Sequence, residues 1–377
     1  MAGASLGARL STDRKVLLLE QEAQPGMHAT GRSAAAFIPS YGAHLPALRQ
    51  LTQASFTFLQ HPPASISEHT LLHPRGLMTL HGDKDGAETR QELAALNTLL
   101  AEPVKELPHD EALRLCPALA ESWLTNIWFE ESVYDIDVHG LHQGFLRQFK
   151  HNGGTLLSDQ VTAIEHRVTG WIVTTASETF TASVVVNAAG AWADHVASMA
   201  GVSPLGLTPL RRTAILINPP ENCEIQQWPL VFAGDGSFYL KPDAGMLLVS
   251  PADEHPSEPC DAQPEELDVA YAAHYAEQAL TGLNLKHVPH RWAGLRTFAP
   301  DRVPVIGFDS GNSTFFWFAG QGGHGIQIAP AAAELAESII KKTALPETLA
   351  AMDFQVSWVS PARFSEEDAS SPFEKTA

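Results

Sequence analysis

The fold is decided by AGASLGARL at residues 2–10 and KVLLLE at residues 15–20. The first stretch, made mostly of small residues, predicts a helix that packs closely on a sheet. The second predicts a buried parallel strand, because strands covered on both faces form continuous apolar runs. A helix, a strand and an acid at the strand's end are the second half of a β–α–β unit.

This half unit has the features of a dinucleotide site. A glycine at the start of the helix lets a pyrophosphate approach the main chain, and an acid about 20 residues later binds ribose hydroxyls. Gly3 and Glu20 occupy these two positions. A small-residue helix packed on a sheet, with Glu20 as a solvated strand end, explains the segment equally well.

A complete fingerprint begins with a central strand that leads into Gly-x-Gly-x-x-Gly. Met1-Ala2-Gly3-Ala4-Ser5 matches only the end of that pattern. We therefore expect the natural protein to carry about a dozen further residues, an apolar strand followed by Gly-x-Gly. The chain without them is expected to bind its dinucleotide poorly and to be unstable, since neighbouring strands would lack ladder partners.

Three further glycine turns follow in the order that such a site requires. They are GMHATGRS at residues 26–33, NAAGAW at residues 187–192 and GQGGHG at residues 320–325. The second ends a buried strand, and the third precedes a helix predicted at residues 326–342. Each turn alone is compatible with an ordinary loop, but the three together favour a cofactor site.

Charge and composition exclude several other classes of function. The 377 residues carry 43 acidic against 24 basic side chains, a net charge of −19, which disfavours nucleic acid and anionic membranes as partners. Three widely spaced cysteines favour neither a disulfide framework nor a zinc cluster, so no metal site is expected. No apolar run is long enough for a membrane span and no signal peptide is recognisable, so we expect a soluble cytoplasmic protein.

Strand and helix patterns alternate along the rest of the chain. Short strands are predicted at residues 161–166, 171–175, 180–182, 211–218, 238–241, 246–250 and 315–319. Helices are predicted at residues 193–199 and 264–280. His139 and His142 lie three apart on another predicted helix, where we expect surface or capping groups because no third metal ligand accompanies them.

Several longer motifs carry a family resemblance. They are QPG through SAA (residues 24–35), DID through LHQG (135–144), VNAAGAW (186–192), SFYLKPDAGM (237–246), WAGLR (292–296), and QGG with GIQ (321–327). From Gly3 to about Phe364, the chain resembles the D-amino acid oxidase (DAO) superfamily of FAD-dependent enzymes, and within it most of all bacterial D-arginine dehydrogenase. The resemblance implies FAD as the cofactor and an α/β fold: a Rossmann-like, glutathione-reductase-type FAD domain with a second α+β domain on a mixed sheet.

The same resemblance implies how the chain is divided and which residues contact FAD. Residues 1–60, 140–205 and 290–364 would form the FAD domain, residues 61–139 and 206–289 the substrate domain, and residues 365–377 a disordered tail. The implied cofactor-binding residues are Gly3, Glu20, Gly31, Arg32, Ser33, Ala34, Ala35, Val161, Ala188, Gly190, Trp192, Gly322, Gly323, Gly325, Ile326 and Gln327. Among them, the glycines that open the last helix would stabilise negative charge on the reduced flavin.

Amine oxidation by a flavin requires the substrate's carboxylate to be held so that the α-hydrogen faces the flavin N5. By resemblance, Arg212, Tyr239 and Arg296 would form this clamp, with Tyr41 and Gly323 completing the site. An isolated arginine is more often a surface ion pair, but both arginines here have apolar neighbours. His324 is expected to act in packing or gating rather than as a base.

The pocket for the substrate's side chain departs from the D-arginine enzymes. Leu77 stands where their carboxylate would be, and Ala36 and Ile38 replace a histidine and a threonine. Since an apolar pocket cannot offset the desolvation of a guanidinium, we expect a neutral or apolar D-amino acid as substrate. The alternatives are a glycine or sarcosine-type amine oxidase, or a truncated flavin-free protein. The sequence leaves open whether O₂ or a quinone accepts the electrons.

Overall fold

The computed structural model describes residues 1–82 and 86–364, so the predicted tail lies outside the described residues. The described helices are α1 (Ala2–Leu10), α2 (Pro46–Gln60), α3 (Gly86–Asn97), α4 (His109–Leu115), α5 (Val138–His151), α6 (Ala193–Met199), α7 (Glu266–Ala279), α8 (Ala329–Lys341) and α9 (Glu347–Ala350). Short 3₁₀ helices lie at Glu121–Trp123, Gly190–Trp192, Val356–Trp358 and Pro361–Phe364. No helix in the described part of the chain is long and apolar enough to cross a membrane.

The strands form several sheets of both parallel and antiparallel type. In the first half of the chain they are β1 (Leu17–Glu20), β2 (Ala36–Phe37), β3 (Leu72–Pro74), β4 (Leu77–Leu80), β5 (Lys105–Leu107), β6 (Ile127–Glu130), β7 (Tyr134–Ile136), β8 (Thr155–Ser158), β9 (Val161–Arg167) and β10 (Gly170–Thr175). In the second half they are β11 (Thr179–Ala182), β12 (Val185–Asn187), β13 (Thr208–Ile217), β14 (Leu230–Ala233), β15 (Tyr239–Asp243), β16 (Met246–Ser250), β17 (His255–Pro256), β18 (His290–Phe298), β19 (Val305–Phe308) and β20 (Phe315–Ala319).

Parallel pairing and close helix packing organise the N-terminal layer. Strand β1 pairs in parallel with β8, and β12 pairs in parallel with β20. Helix α1 bridges these two pairs: a Cβ added at Gly3 would lie 3.6 Å from Leu18 Cδ1 and 3.7 Å from Ala188 Cβ. The predicted helix at residues 2–10 is confirmed, and its small residues permit this close approach.

Within the described residues, β1 and β12 each have a partner strand on one edge alone. The helix α1 packs against α5 and α8. The expectation of a further strand ahead of Met1 stays a prediction.

A large mixed sheet forms the second layer. Its order is β17-β13-β16-β15-β14-β4-β6-β5, and β18 pairs with β13 off this path. The pair β14–β4 is parallel, whereas β4 and β6 are antiparallel. Helix α7 covers this sheet through an apolar core that includes Val269, Ala272 and Ala276. The sheet places strands from distant parts of the chain side by side, and the candidate site uses several of them. The division into domains proposed above stays a prediction.

Most predicted elements are present, with small shifts at their ends. The strand at residues 315–319 and the helix at residues 193–199 have the predicted bounds, and strands β9, β10 and β11 form an antiparallel sheet. The prediction that the last helix begins at residue 326 is wrong. Residues 322–328 form turns, and α8 begins at Ala329 with Pro330 in its first turn, where the missing amide hydrogen costs no bond.

The prediction that His139 and His142 are both surface or capping groups is also wrong for one of them. His139 is exposed, but His142 is buried on α5 beneath the glycine turn at residues 26–33. A Cβ at Gly26 would lie 2.9 Å from His142 Cε1, so the turn packs directly on the imidazole ring. Burial, the nearby N-terminal ammonium and His139 lower the pKa of His142 to about 4, so it is uncharged at neutral pH.

Candidate active site

Two of the three glycine turns lie close to the start of α1. The N-terminal ammonium of Met1 donates to Thr30 Oγ1 at 2.9 Å, which brings the 26–33 turn onto the helix. The rings of His28 and Trp192 lie 4.9 Å apart, which joins that turn to the 187–192 turn. The helix N-terminus and both turns therefore meet at one place, as an anionic dinucleotide would require.

The first turn is closed by a contact that only glycine allows. The Gly31 amide donates to the Gly26 carbonyl at 2.8 Å, and a Cβ at Gly31 would lie 2.5 Å from that oxygen. Ser33, Ala34 and Ala35 then lead into β2. Small side chains along this segment leave its main chain accessible to a ligand.

Arg32 is held by the protein itself. Its guanidinium donates to the carbonyls of Ala293 and Ala262, at 2.9 and 3.1 Å, and pairs with Asp261. Its own carbonyl accepts from Trp292 Nε1 at 3.0 Å. Arg32 thus ties the first turn to β18, a positioning role that its sequence motif alone did not indicate.

Three further predicted cofactor residues lie in the 187–192 turn, at the end of β1 and at the start of β9. Gly190 has a φ of +57°, and a Cβ there would meet nothing within 4 Å, so the space beside this turn is open. Glu20 ends β1 and accepts from the Glu22 amide at 3.1 Å. Val161 opens β9. A dinucleotide site requires both an open glycine turn for the pyrophosphate and a strand-end carboxylate for the ribose.

The third turn presents a set of unused amides. Within the described chain, the main-chain amides of Gly323, Gly325, Ile326 and Gln327 find no protein acceptor. The Gly322 amide is not part of this set, because it donates to the Thr297 carbonyl at 2.8 Å. Successive amides without acceptors form a concavity that suits an anion or a polarised oxygen.

Gln327 uses its side chain to support the neighbouring elements. Its Oε1 accepts from the Ile38 amide at 3.1 Å, and its Nε2 donates to Thr52 Oγ1 at the same distance. This buried amide therefore fixes the third turn relative to the segment that leads to Tyr41. Its main-chain amide stays available to a ligand.

Arg296 is a partly buried cation beside this turn. Its Nη2 lies 3.5 Å from Tyr239 Oη, and a Cβ at Gly323 would lie 3.4 Å from its Nη1. In the described residues no carboxylate lies within 4.0 Å of its guanidinium, whereas Arg211 and Arg212 each have such a partner. Since a cation taken out of water without a counter-ion is costly, this position calls for an anionic ligand.

Arg212 belongs to the same cluster but is partly neutralised. Its Nη2 pairs with Glu254 at 3.0 Å, and its guanidinium carbon lies 6.0 Å from the centre of the Tyr239 ring. Burial opposes ionisation of Tyr239, yet Arg296, Arg212 and a hydrogen bond to Ser250 together lower the pKa of the phenol. Among the described members of this cluster, Arg212 has a carboxylate in direct contact, whereas Glu254 and Asp253 act on Arg296 only from a distance.

Tyr41 and His324 form a stacked pair at the other side of the site. Their ring centres lie 4.3 Å apart, at an interplanar angle of 13°. A Cβ at Gly323 would lie 2.8 Å from Tyr41 Oη. Burial and the charge of Arg296 lower the pKa of His324 to about 3. The imidazole is thus uncharged at physiological pH and too weakly basic to remove a proton.

Tyr41 also lines a cavity of about 190 Å³. Apolar side chains make up much of its wall, including Ile38, Leu77 and Phe232. Glu130 lies in the same wall, with 2% of its surface exposed. The expectation of an apolar substrate pocket, drawn from Leu77 and Ile38, stays a prediction, and β6 adds to this cavity a carboxyl group from outside the recognised motifs.

Sequence reasoning missed Glu130 and Glu254. The segment IWFE at residues 127–130 has the same pattern as the run that ends at Glu20, an apolar strand closed by an acid. That pattern was a usable signal for Glu130. Nothing in the sequence around Glu254 indicates that it pairs with Arg212.

Comparison with known families and structures extends these observations. The family model described as "DAO: FAD dependent oxidoreductase" matches residues 1–338. Glycine oxidase from Geobacillus kaustophilus is 25% identical over 248 residues, which are 64% of this chain and 63% of the relative. Hydrogen cyanide synthase subunit HcnC from Pseudomonas aeruginosa is 24% identical, over 62% of this chain and 55% of the relative. The matched region thus spans less than two thirds of these relatives' own length.

Solved structures agree with the fold over nearly the whole chain. Glycine oxidase from Geobacillus kaustophilus superposes with a TM-score of 0.80 at 23% identity, covering 94% of this chain and 96% of that one. L-proline dehydrogenase from P. horikoshii superposes with a TM-score of 0.82 at 22% identity, covering 96% and 95%. The predicted α/β fold is confirmed, whereas the particular likeness to D-arginine dehydrogenase stays a prediction.

Proposed function

Because this chain belongs to the DAO family of FAD-dependent oxidoreductases, we propose that it oxidises the Cα–N bond of a D-α-amino acid. FAD, the cofactor of the family, supplies the acceptor for the hydride that leaves Cα. The nitrogen lone pair forms the C=N bond as the hydride departs, and the amine gives up a proton. Water then hydrolyses the imino acid to a keto acid and ammonia.

The observation that carries this proposal is the unpaired guanidinium of Arg296. It lies between Tyr239 Oη and the third glycine turn, with no carboxylate of the described residues within 4.0 Å, although Glu254 and Asp253 act on it from farther away. An amino acid's carboxylate offers two coplanar oxygens, which match the planar fork of an arginine. Tyr239 adds a phenolic donor, and Arg212 adds positive charge behind it.

The other site residues are suited to orientation rather than to proton removal. A free amine can lose a hydride without a strong base, and His324, with its pKa lowered to about 3, supplies none. Its ring instead supports Tyr41 by stacking. We propose that Tyr41 and the third turn enclose the reacting carbon and exclude water from it.

The glycine turns fit FAD. The start of α1 with Gly3, the strand-end Glu20, and the open turn at Gly190 would hold the adenosine and pyrophosphate portion. The unused amides of Gly323 and its neighbours would stabilise negative charge on the flavin. The remaining predicted cofactor contacts are proposed on the same basis.

A second candidate, oxidation of glycine or a small secondary amine, is favoured by the names of the relatives, which include glycine oxidase. The cavity of about 190 Å³ beside Tyr41 favours a substrate that has a side chain. Since glycine has no side chain, it would leave this space unfilled.

A substrate panel distinguishes these possibilities. Flavin-loaded protein is mixed anaerobically with glycine, sarcosine and the two enantiomers of several amino acids, and the initial rate of flavin reduction is measured. The proposal requires D-enantiomers to reduce the flavin faster than their L-enantiomers and faster than glycine. Faster reduction by glycine or sarcosine would establish the second candidate, and faster reduction by L-enantiomers would refute the assigned configuration.

A further inference from the structure

Resting on the proposed function, we propose that Glu130 is a specificity-determining residue that binds the end of the substrate's side chain. It selects side chains that end in a hydrogen-bond donor over hydrocarbon side chains of the same shape. The pocket is thus not the purely apolar one that Leu77 and Ile38 alone would form.

The position of Glu130 in the sheet supports this role. It is the direct partner of Leu77 in the antiparallel ladder between β4 and β6, so both side chains project from the same face. Both line the cavity that Tyr41 and Gly42 also line. Tyr41 in turn lies against Gly323 and stacks on His324, so the cavity opens beside the proposed reaction centre.

The hydrogen bonding of Glu130 leaves one oxygen unused. Oε1 accepts from the Ser40 amide at 3.1 Å, whereas Oε2, itself buried, has no partner in the described residues. The residue is 2% exposed. A buried polar atom without a partner costs free energy, so an oxygen left unsatisfied in a cavity wall is best explained by a ligand group that it binds.

Glu130 has no cationic partner within 4.0 Å among the described residues, whereas the adjacent Glu131 pairs with Lys105. Burial raises the pKa of this carboxyl to about 7, although the side chain and the amide of Ser40 act in the opposite direction. Neither β4 nor β14 carries a titratable side chain. The other titratable or charged groups on the elements that pack round it are Tyr41, His44, His81, Glu88, Arg90, Glu92, Lys105, Glu106, Glu131 and His324.

The two protonation states recognise related ligands. A protonated carboxyl can accept a hydrogen bond at one oxygen and donate from the other, which suits an amide or hydroxyl on the substrate. The ionised carboxylate is acceptor-only and attracts an ammonium group strongly in a poorly solvated site. The preference for a cationic side chain should therefore increase as the pH rises through neutrality.

D-Ornithine and D-norleucine form a matched pair for the test, because their side chains have the same length and differ in the terminal ammonium or methyl group. The ratio of their kcat/KM values is measured from pH 5.5 to 8.5 in the wild type, in Glu130→Gln and in Glu131→Gln. Glutamine at position 130 keeps an acceptor for the Ser40 amide. Glu131 is the adjacent surface acid, with 80% of its side chain exposed, and serves as the control.

We expect the ornithine-to-norleucine ratio to rise with pH in the wild type and in Glu131→Gln. In Glu130→Gln the ratio should lose its pH dependence and fall at pH 8.5 by about tenfold to a hundredfold, the effect of one charged hydrogen bond. A ratio that is flat with pH in the wild type, or unchanged by Glu130→Gln, would overturn the assignment while leaving amino acid oxidation intact. Absence of flavin reduction by every amino acid would instead refute the proposed function, and this inference with it.

Glu130 also holds the Ser40 amide, so a purely structural role must be separated from recognition. Glu130→Leu removes both the acceptor and the charge. If Glu130 only positions Tyr41 through Ser40, Glu130→Gln should retain the wild-type ratio and Glu130→Leu should slow both substrates equally, which would contradict recognition. If Glu130 binds substrate, Glu130→Leu should favour D-norleucine over D-ornithine.

Discussion

Leu77 and Glu130 lie directly opposite each other across the ladder between β4 and β6, and both line one cavity. On β4, Leu77 stands where the D-arginine enzymes are expected to have a carboxylate. The neighbouring strand β6 supplies a carboxyl group, that of Glu130, at the paired position. Among the described residues, the wall of this cavity combines an apolar surface with one buried carboxyl group.

Replacing Arg296 by methionine should weaken the binding of the substrate's carboxylate. The loss of a charged hydrogen bond to a desolvated carboxylate costs about 1.5–3 kcal/mol, so kcat/KM should fall about tenfold to a hundredfold. Arg291→Met on the same strand is the control, since that arginine is 46% exposed and pairs with Glu266. Equal kinetics for Arg296→Met and the wild type would show that another group binds the carboxylate.

Replacing Gly323 by alanine should obstruct the site without straining the backbone. The added methyl would lie 2.8 Å from Tyr41 Oη, closer than unbonded atoms normally approach, and would be in ordinary contact with Arg296 Nη1 at 3.4 Å. We expect kcat/KM to fall at least about tenfold, as Tyr41 is displaced. Gly311→Ala, at an exposed turn, should retain activity. An active Gly323→Ala enzyme would place the substrate away from this turn.

His324 should contribute no ionisation to the pH profile. Burial and Arg296 lower its pKa to about 3, so it is neutral throughout the range from pH 5 to 9. His324→Phe keeps a ring to stack on Tyr41 and removes both ring nitrogens. Its kcat/KM profile should have the same shape as that of the wild type, even if its height changes. Loss of a limb near neutral pH in this variant would identify His324 as an acid or base.

Glu130 should make the folded protein less stable as the pH rises. Burial raises its pKa from 4.5 to about 7, so the folded state retains a proton that the unfolded state has released. Its contribution to the free energy of unfolding should therefore decline between pH 4.5 and 7, by about 3 kcal/mol at ~1.4 kcal/mol for each pH unit, and be constant above.

Urea unfolding of the wild type and Glu130→Gln at pH 5 and pH 8 measures this decline. Between pH 5 and pH 8, the free energy of unfolding should decline less in Glu130→Gln than in the wild type. In Glu131→Gln it should decline as much as in the wild type. An identical pH dependence in wild type and Glu130→Gln would mean that Glu130 is ionised at neutral pH in the folded protein.

Local sequence patterns were sufficient for the elements near the N-terminus and for the family. The small residues of α1, the apolar run ending at Glu20 and the strand at residues 315–319 each carry their own signal. The contacts that complete the site depend on pairing between distant segments. Nothing local reveals that Leu77 pairs with Glu130, or that Arg32 is held by Asp261 and the carbonyls of two other residues.

The start of the helix α8 could not be predicted from local sequence for a different reason. The glycines of the third turn and the apolar residues after them are compatible with a helix that begins at residue 326. Side-chain and main-chain bonds hold the segment in turns instead, including the Gly322 amide on Thr297 and Gln327 on Ile38. These tertiary bonds, which the sequence does not indicate, leave the amides of the turn free for a ligand.

The central claim is that Arg296 binds the carboxylate of an amino acid whose Cα–N bond is oxidised with FAD as the electron acceptor. It is tested most directly by mixing flavin-loaded protein anaerobically with a D-amino acid, and separately with the carboxamide of the same compound, while flavin absorbance is followed. The amino acid should bleach the flavin, and the uncharged carboxamide should do so at least about tenfold more slowly. Equal bleaching by both compounds, or no bleaching by any amino acid, would contradict the account.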